Sequence, residues 1–303
     1  MTTRDFSAQR AALAGVVAIP VTPFTADDTL DTTAYRTLVN RLLAAGVRTL
    51  TPNGNTGEFH ALSPEERRII TELTVAEAGG RAAVLAGVGL DPATAIASAE
   101  HARSAGAQMV MVHQPAHPYV SQGGWVDYHR AIAEAVPELG VVPYLRDTRL
   151  YGQRLAELGE LCPNVIGVKY AAPDAARFAA FARDAGLDRF VWIAGLAELH
   201  APSYFAVGAT GFTSGLANVA PALSLELLAR LRAGDQRAAM KIWERIRPFE
   251  ELRAAHGSAD NVAVVKEALA ALGLCRRDLR APSSQLPYHQ RELVSTLIAG
   301  WAL

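Results

Sequence analysis

A closed, parallel (β/α)8 barrel with a C-terminal helical extension is the α/β fold this chain predicts, and three features predict it. From Gly15 onward, short runs rich in Val, Ile and Leu alternate with longer alanine-rich segments bearing spaced charges, which is the rhythm of repeated strand–helix units. Eight such units follow one another, and that number favours closure into a TIM barrel over an open sheet. After about Arg232 the alternation stops at Gly234-Asp235, and the rest reads as helices with no strand between them.

The strands are expected at Val16–Val21, Thr49–Asn53, Ala83–Val88, Met109–His113, Val141–Leu145, Val165–Lys169, Phe190–Ala194 and Gly211–Ser214. Helices are expected to start near Thr32, Ser63, Asp91, Gly124, Arg149, Asp174, Glu198 and Pro221. Ser63-Pro64-Glu65-Glu66 carries the strongest start signal: a serine cap, proline at the first helical position, and acids that complement the helix dipole. Asp91-Pro92 repeats the device. The barrel is assigned residues 1–232 and the extension residues 233–303, with helices over Gln236–Arg253, Ala259–Leu272 and Tyr288–Trp301. Pro282 and Pro287 make Arg277–Pro287 a loop between the last two.

Composition narrows the function class. The 29 Lys+Arg residues nearly balance the 30 Asp+Glu, and no basic block stands out, which argues against nucleic acid or an anionic membrane as partner and for a small molecule. Cys162 and Cys275, the only cysteines, give no disulfide framework and no CxxC motif, so a reducing cytoplasm is expected. Met1–Leu13 has charges and no sustained apolar run, so neither a signal peptide nor a spanning helix is expected there. The eight histidines are read as scattered, with no HxxxH or HExxH pairing, so no metal site is expected.

The chemistry is expected to centre on Pro163–Tyr170, an apolar strand that stops on a single lysine. Strand alternation would turn Val165, Gly167 and Lys169 to the barrel interior, with Gly167 leaving room beside the lysine. Among apolar walls the ammonium form is disfavoured, and a lysine of lowered pKa can condense with a ketone as a Schiff base. The alternative on the strand alone is a lysine paired with a carboxylate.

Barrel sites are built at the C-terminal ends of the strands. There, Gly54-Asn55-Thr56-Gly57-Glu58 is either a plain tight turn or a cradle of backbone N–H groups and a hydroxyl for a carboxylate. It lacks the Lys-Ser/Thr of a Walker motif. Glu58 is expected to be satisfied by nearby backbone N–H groups. Tyr144, on the strand beside Lys169, is either a packed aromatic or a phenol that moves protons to and from an imine. Arg149 is either an idle loop arginine or a holder of a second anionic group. His117 is either a solvent-exposed loop residue or a general base or hydrogen-bond donor in the pocket.

Taken in order, Pro20-Val21-Thr22-Pro23-Phe24, the GxTGE loop at Gly54–Glu58, Tyr144, Gly167-Val168-Lys169 and the run Gly211–Val219 resemble the Schiff-base-forming superfamily of dihydrodipicolinate synthase and N-acetylneuraminate lyase. The resemblance covers the chain from about Gly15 to its end. It implies that Lys169 forms the imine with a 2-oxo acid and that Tyr144 is the proton shuttle. It further implies that Thr56 and its loop, including Asn55 and Gly57, hold the oxo acid's carboxylate. Arg149 would meet a second carboxylate, and Thr213 and Ser214 would line the pocket. No cofactor is implied, and a homo-oligomer, tetramer or dimer, is.

Three departures redirect the functional expectation. Asn55 stands where the synthases have the first of two threonines, and His117 where a tyrosine from a neighbouring subunit completes a relay. Leu145-Arg146-Asp147 replaces the asparagine and proline that follow the tyrosine. With two of three relay hydroxyls gone, a hydroxy- or sugar-acid dehydratase or aldolase, such as 5-dehydro-4-deoxyglucarate dehydratase, is favoured. The alternatives are a dihydrodipicolinate synthase and a non-catalytic barrel that only binds a keto acid.

Overall fold

A computed structural model describes residues 4–301. The first residues of the Met1–Leu13 segment and the last of the 233–303 segment lie outside the described residues. Eight parallel strands close on themselves in sequence order: β1 (Val16–Ala18), β2 (Thr49–Leu50), β3 (Ala83–Val88), β4 (Met109–Val112), β5 (Gly140–Leu145), β6 (Gly167–Tyr170), β7 (Val191–Ala194) and β8 (Gly211–Ser214). The strand alternation sorts side chains into two cores. Val17, Leu85, Met109, Met111, Val142 and Ile193 fill the barrel, while Val84, Val110, Val168, Trp192 and Phe212 face the surrounding helices.

The helices are α1 (Ser7–Leu13), α2 (Thr32–Ala44), α3 (Pro64–Ala78), α4 (Pro92–Ala105), α5 (Gln122–Ala135), α6 (Gly152–Leu161), α7 (Ala175–Ala185), α8 (Ala197–Phe205) and α9 (Pro221–Arg232). Ser63 and Glu66 form a reciprocal capping box on α3, and Asp91 caps α4 ahead of Pro92. The short α1 was not expected; its seven residues are too few for a legible apolar period. Phe6 and Leu13 at its ends join the inner core. α5 begins earlier than expected because Ser121 accepts from the Gly124 N–H. α6 begins later than Arg149 because the Arg149 N–H and guanidinium both turn back onto Asp147. β1 stops at Ala18 rather than Val21 because the Val21 N–H is taken by the Asn218 side chain.

β6 corrects the expected lysine strand. Val141 bridges Val165, yet Tyr144 pairs with Lys169, so β6 carries one more residue than β5 between these pairings. Val165 therefore faces the helices and Ile166 the barrel, and after the extra residue Lys169 faces the barrel as well. Gly167 does not make room for the lysine. A Cβ there would lie 3.0 Å from Leu13 Cδ1 and 3.0 Å from the Val191 carbonyl oxygen.

Past α9, α10 (Gln236–Ser258) packs against α8 and α9, and α11 (Asn261–Ala271) packs on α10 and on the turn at Asn55–Gly57. α12 (Tyr288–Ala299) closes against α11. α10 is interrupted by Ala255 with ψ 154° and by His256 and Gly257 with φ of 52° and 68°, and Ser258 and Asn261 swing back toward the barrel mouth. No helix among the described residues is long and apolar enough to cross a membrane.

Candidate active site

A cavity of about 100 Å³ opens at the C-terminal ends of the strands. Lys169 and Tyr144 lie in its wall with Asn55, Thr56 and Thr213, so five of the expected site residues come together there. Lys169 is only 3% exposed. Its pKa is lowered to about 7, chiefly by burial and then by the neighbouring Arg146 guanidinium, with no carboxylate offsetting either. Space for its stem comes from Gly195, just past β7, where a Cβ would stand 3.0 Å from Lys169 Cγ and 2.8 Å from Ala171 Cβ.

Tyr144 sits directly across the ladder from Lys169, whose ammonium nitrogen lies 4.3 Å from the phenol ring centroid. Burial raises the phenol's pKa, and Asn55 Nδ2 donates to its oxygen at 3.3 Å. At rest Tyr144 is therefore a protonated acid beside a readily neutralised amine. Asn55 Oδ1 is buried without a partner among the described residues.

The loop carrying Asn55 and Thr56 is a single 3-10 turn, Asn55–Gly57. Gly54 is required by packing, since a Cβ would sit 2.5 Å from Ile19 Cγ2. Glu58 follows at φ +60°. Contrary to the sequence expectation, its carboxylate is not satisfied by nearby backbone N–H groups: Lys266 of α11, fully buried, pairs with Oε1, and the Arg280 N–H donates to Oε2 at 3.2 Å. Lys266 also donates to the Asp278 carbonyl at 2.7 Å. Nothing local announced this partner, which lies two hundred and eight positions away.

Four expected residues lie elsewhere. Arg149 is 71% exposed, holds Asp147 in a bidentate pair, and faces a separate depression beside Gln122. His117 is on an exposed loop, where its Nδ1 accepts from the Tyr119 N–H at 3.1 Å. Ser214 cannot share the cavity with Thr213, its neighbour on β8, because successive side chains point to opposite faces. It donates to Glu198 Oε1 at 2.5 Å instead. Gly57 backs onto the Pro20 carbonyl, where a Cβ would lie at 2.9 Å. His113 and His117 do stand four positions apart, against the expected scatter, but they diverge. His113 is buried, stacks on Phe59 at 4.1 Å, bonds the Asn53 carbonyl, and has its pKa lowered by burial to about 3.

The cavity also has walls the sequence reading missed. Arg146 lies two residues past Tyr144 and, by strand period, on the same side; that signal was available. Glu250, Arg253 and Asn261 come from the extension, and the only local signal among them is the i,i+3 spacing of Glu250 and Arg253. Behind them Glu198, fully buried, accepts from Ser214 and Ser224 at 2.5 Å each. Its pKa is raised to about 7, by burial first and then by Glu250.

A family model described as the dihydrodipicolinate synthetase family matches residues 12–300. The 4-hydroxy-tetrahydrodipicolinate synthase of Rhizobium meliloti is 36% identical over 284 residues, 92% of this chain and 95% of that protein. A probable 5-dehydro-4-deoxyglucarate dehydratase of Streptomyces coelicolor is 32% identical over 312 residues, 100% of this chain and 98% of its own. The crystal structure of dihydrodipicolinate synthase from Bacillus clausii superposes with a TM-score of 0.93 at 40% identity, covering 97% of this chain and 100% of that one.

Proposed function

The chain belongs to the dihydrodipicolinate synthetase family, and from that premise we propose that it is a lyase in which Lys169 forms a Schiff base with a 2-oxo acid. The observation that carries the proposal is a lysine with 3% exposure and a pKa lowered to about 7, in a cavity wall with a phenol across the ladder. The neutral amine attacks the ketone carbon and water leaves. The protonated imine then acidifies the adjacent carbon, whose proton is lost to give an enamine. Elimination of water, cleavage of a carbon–carbon bond and addition to an aldehyde all follow from that intermediate. Tyr144 serves as the proton carrier, and Thr56 with its loop as the seat of the oxo acid's carboxylate. No cofactor enters any step.

Among these reactions we favour dehydration or aldol cleavage of a hydroxy- or sugar-derived 2-oxo acid. Asn55 and the Leu145-Arg146-Asp147 run support this, as does the arginine of the expected second-carboxylate contact: Arg149 is bound to Asp147 away from the cavity. The second reading, 4-hydroxy-tetrahydrodipicolinate synthase, is supported by the names of the Rhizobium and Bacillus relatives. Two or four copies of the chain would form the working assembly, with His117 presented toward a neighbour.

The test is to incubate the protein with a panel of 2-oxo acids, reduce with borohydride and locate the mass increment. An adduct on the Lys169 peptide supports the reading. Absence of any adduct across the panel favours a barrel that binds keto acids without reacting, and loss of turnover on chelation would point to metal chemistry instead.

A further inference from the structure

Resting on that Schiff-base reading, the part of the cavity wall supplied by the C-terminal helices identifies what the substrate carries beyond its ketone. We propose that Glu250, Arg253 and Asn261, supplied by the C-terminal helices, bind the hydroxyl groups of a polyhydroxylated 2-oxo acid and so select the substrate. Arg253 is 4% exposed, with Nη1 donating to Glu250 Oε1 at 2.5 Å and Nη2 to Asn261 Oδ1 at 2.9 Å. Its Nε–H is buried and has no partner among the described residues. An ion pair buried away from water is costly and a weak source of stability, and an unmade hydrogen bond on it adds to that cost. Ligand binding at the cavity these groups line explains both.

The fold makes room for this pair. Gly215, directly after β8, is the residue against which the guanidinium rests, since a Cβ there would lie 2.2 Å from Arg253 Nη2. The break at Ala255–Gly257 reverses the chain so that Asn261 reaches the same guanidinium. The resulting surface offers donors and an acceptor carboxylate side by side and is close to neutral. That is the complement of hydroxyls, each of which donates and accepts. A hydrocarbon tail would leave these groups unpaired and an aldehyde, which only accepts, would leave the carboxylate unmatched; a site built to hydrogen-bond hydroxyls discriminates strongly against analogues lacking them.

The test compares pyruvate, which has no tail, with 3-deoxy-2-oxogluconate, which has three hydroxyls beyond its ketone, as partners for borohydride-trapped adducts on Lys169. The readout is the ratio of their half-saturating concentrations. Asn261→Ala should raise the ratio of the hydroxylated acid to pyruvate by about fivefold, as loss of a neutral hydrogen bond does, and the double variant Glu250→Gln/Arg253→Met, which removes both halves of the ion pair, should raise it at least about tenfold, as loss of a hydrogen bond to a charged group does. Arg253→Lys should restore part of it. A purely structural role would weaken both acids alike and leave the ratio within about twofold; that result overturns the proposal. If wild-type protein traps neither acid, the Schiff-base reading itself fails, which is a distinct outcome.

Discussion

Tyr144 and Lys169 face one another across neighbouring strands, residue for residue, with the amine nitrogen 4.3 Å from the centroid of the phenol ring. The pairing is set by backbone hydrogen bonds rather than by side-chain contact, so one partner can be altered with the other left in position. Tyr144→Phe keeps the ring and removes the exchangeable proton. Turnover should fall at least about tenfold, the lower range for losing a proton-transfer group, while Lys169 remains trappable. Unchanged turnover would remove Tyr144 from the proton path.

Adduct formation should follow the fraction of neutral amine. Its rate should rise with pH around a midpoint near 7 rather than near the ordinary lysine value of 10.5. Because the Arg146 charge contributes to the lowering, Arg146→Met should move the midpoint upward. Trapping rates across a pH series decide this, and a midpoint that does not move would exclude the guanidinium as a cause.

Lys169 should also cost the protein stability. The folded state holds its pKa near 7 against 10.5, so between those values the unfolded chain binds more protons and stability rises with pH. Lys169→Met should therefore stabilise the fold, by on the order of a few kcal/mol at neutral pH. The gain should be largest below pH 7 and vanish above about 10.5. Thermal unfolding of both proteins over that range checks it, and a gain that stays constant with pH would contradict the linkage.

The Lys266–Glu58 pair predicts a steep response to single substitution. Lys266→Met leaves Glu58 charged and buried, which typically costs about 3–5 kcal/mol. Adding Glu58→Gln should recover most of that loss, measured by denaturant unfolding. Equal losses in the single and double variants would show that the pair is not what holds the loop.

Gly195→Ala should be damaging out of proportion to its size. The added methyl would meet the Tyr170 carbonyl oxygen at 2.8 Å as well as the Lys169 stem, an overpacking that costs about 1–3 kcal/mol. The trapping rate should drop too, because the stem must shift.

Much of this architecture was legible beforehand, for identifiable reasons. β3, β5 and β8 are bounded by residues whose patterning is local, and the α3 and α4 caps are four-residue signals. Lys169, Tyr144 and Thr213 meet because each sits near a strand's C-terminal end, and Asn55 and Thr56 join them from the loop after β2, positions the barrel brings together. Lys266 escaped because its partner Glu58 lies far away in sequence, and Arg253 because what brings it to the cavity is its packing on the distant Gly215 rather than its local pairing with Glu250; no short pattern encodes such distant contacts. Arg149 and Ser214 were misplaced for opposite reasons. Arg149 found a closer carboxylate in Asp147, and the two-residue period that admitted Thr213 to the cavity turned Ser214 away.

The extra residue in β6 makes the chemistry depend on counting. Were the same residues paired without the bulge, alternation from Ile166 onward would thread Val168 into the lumen and deliver the amine into the greasy sleeve between sheet and helices. The barrel would retain its eight staves and its loops, yet no carbonyl compound could reach the nitrogen. One residue of β6 unmatched on β5, just ahead of the lysine, thus separates a reactive amine from an inert one.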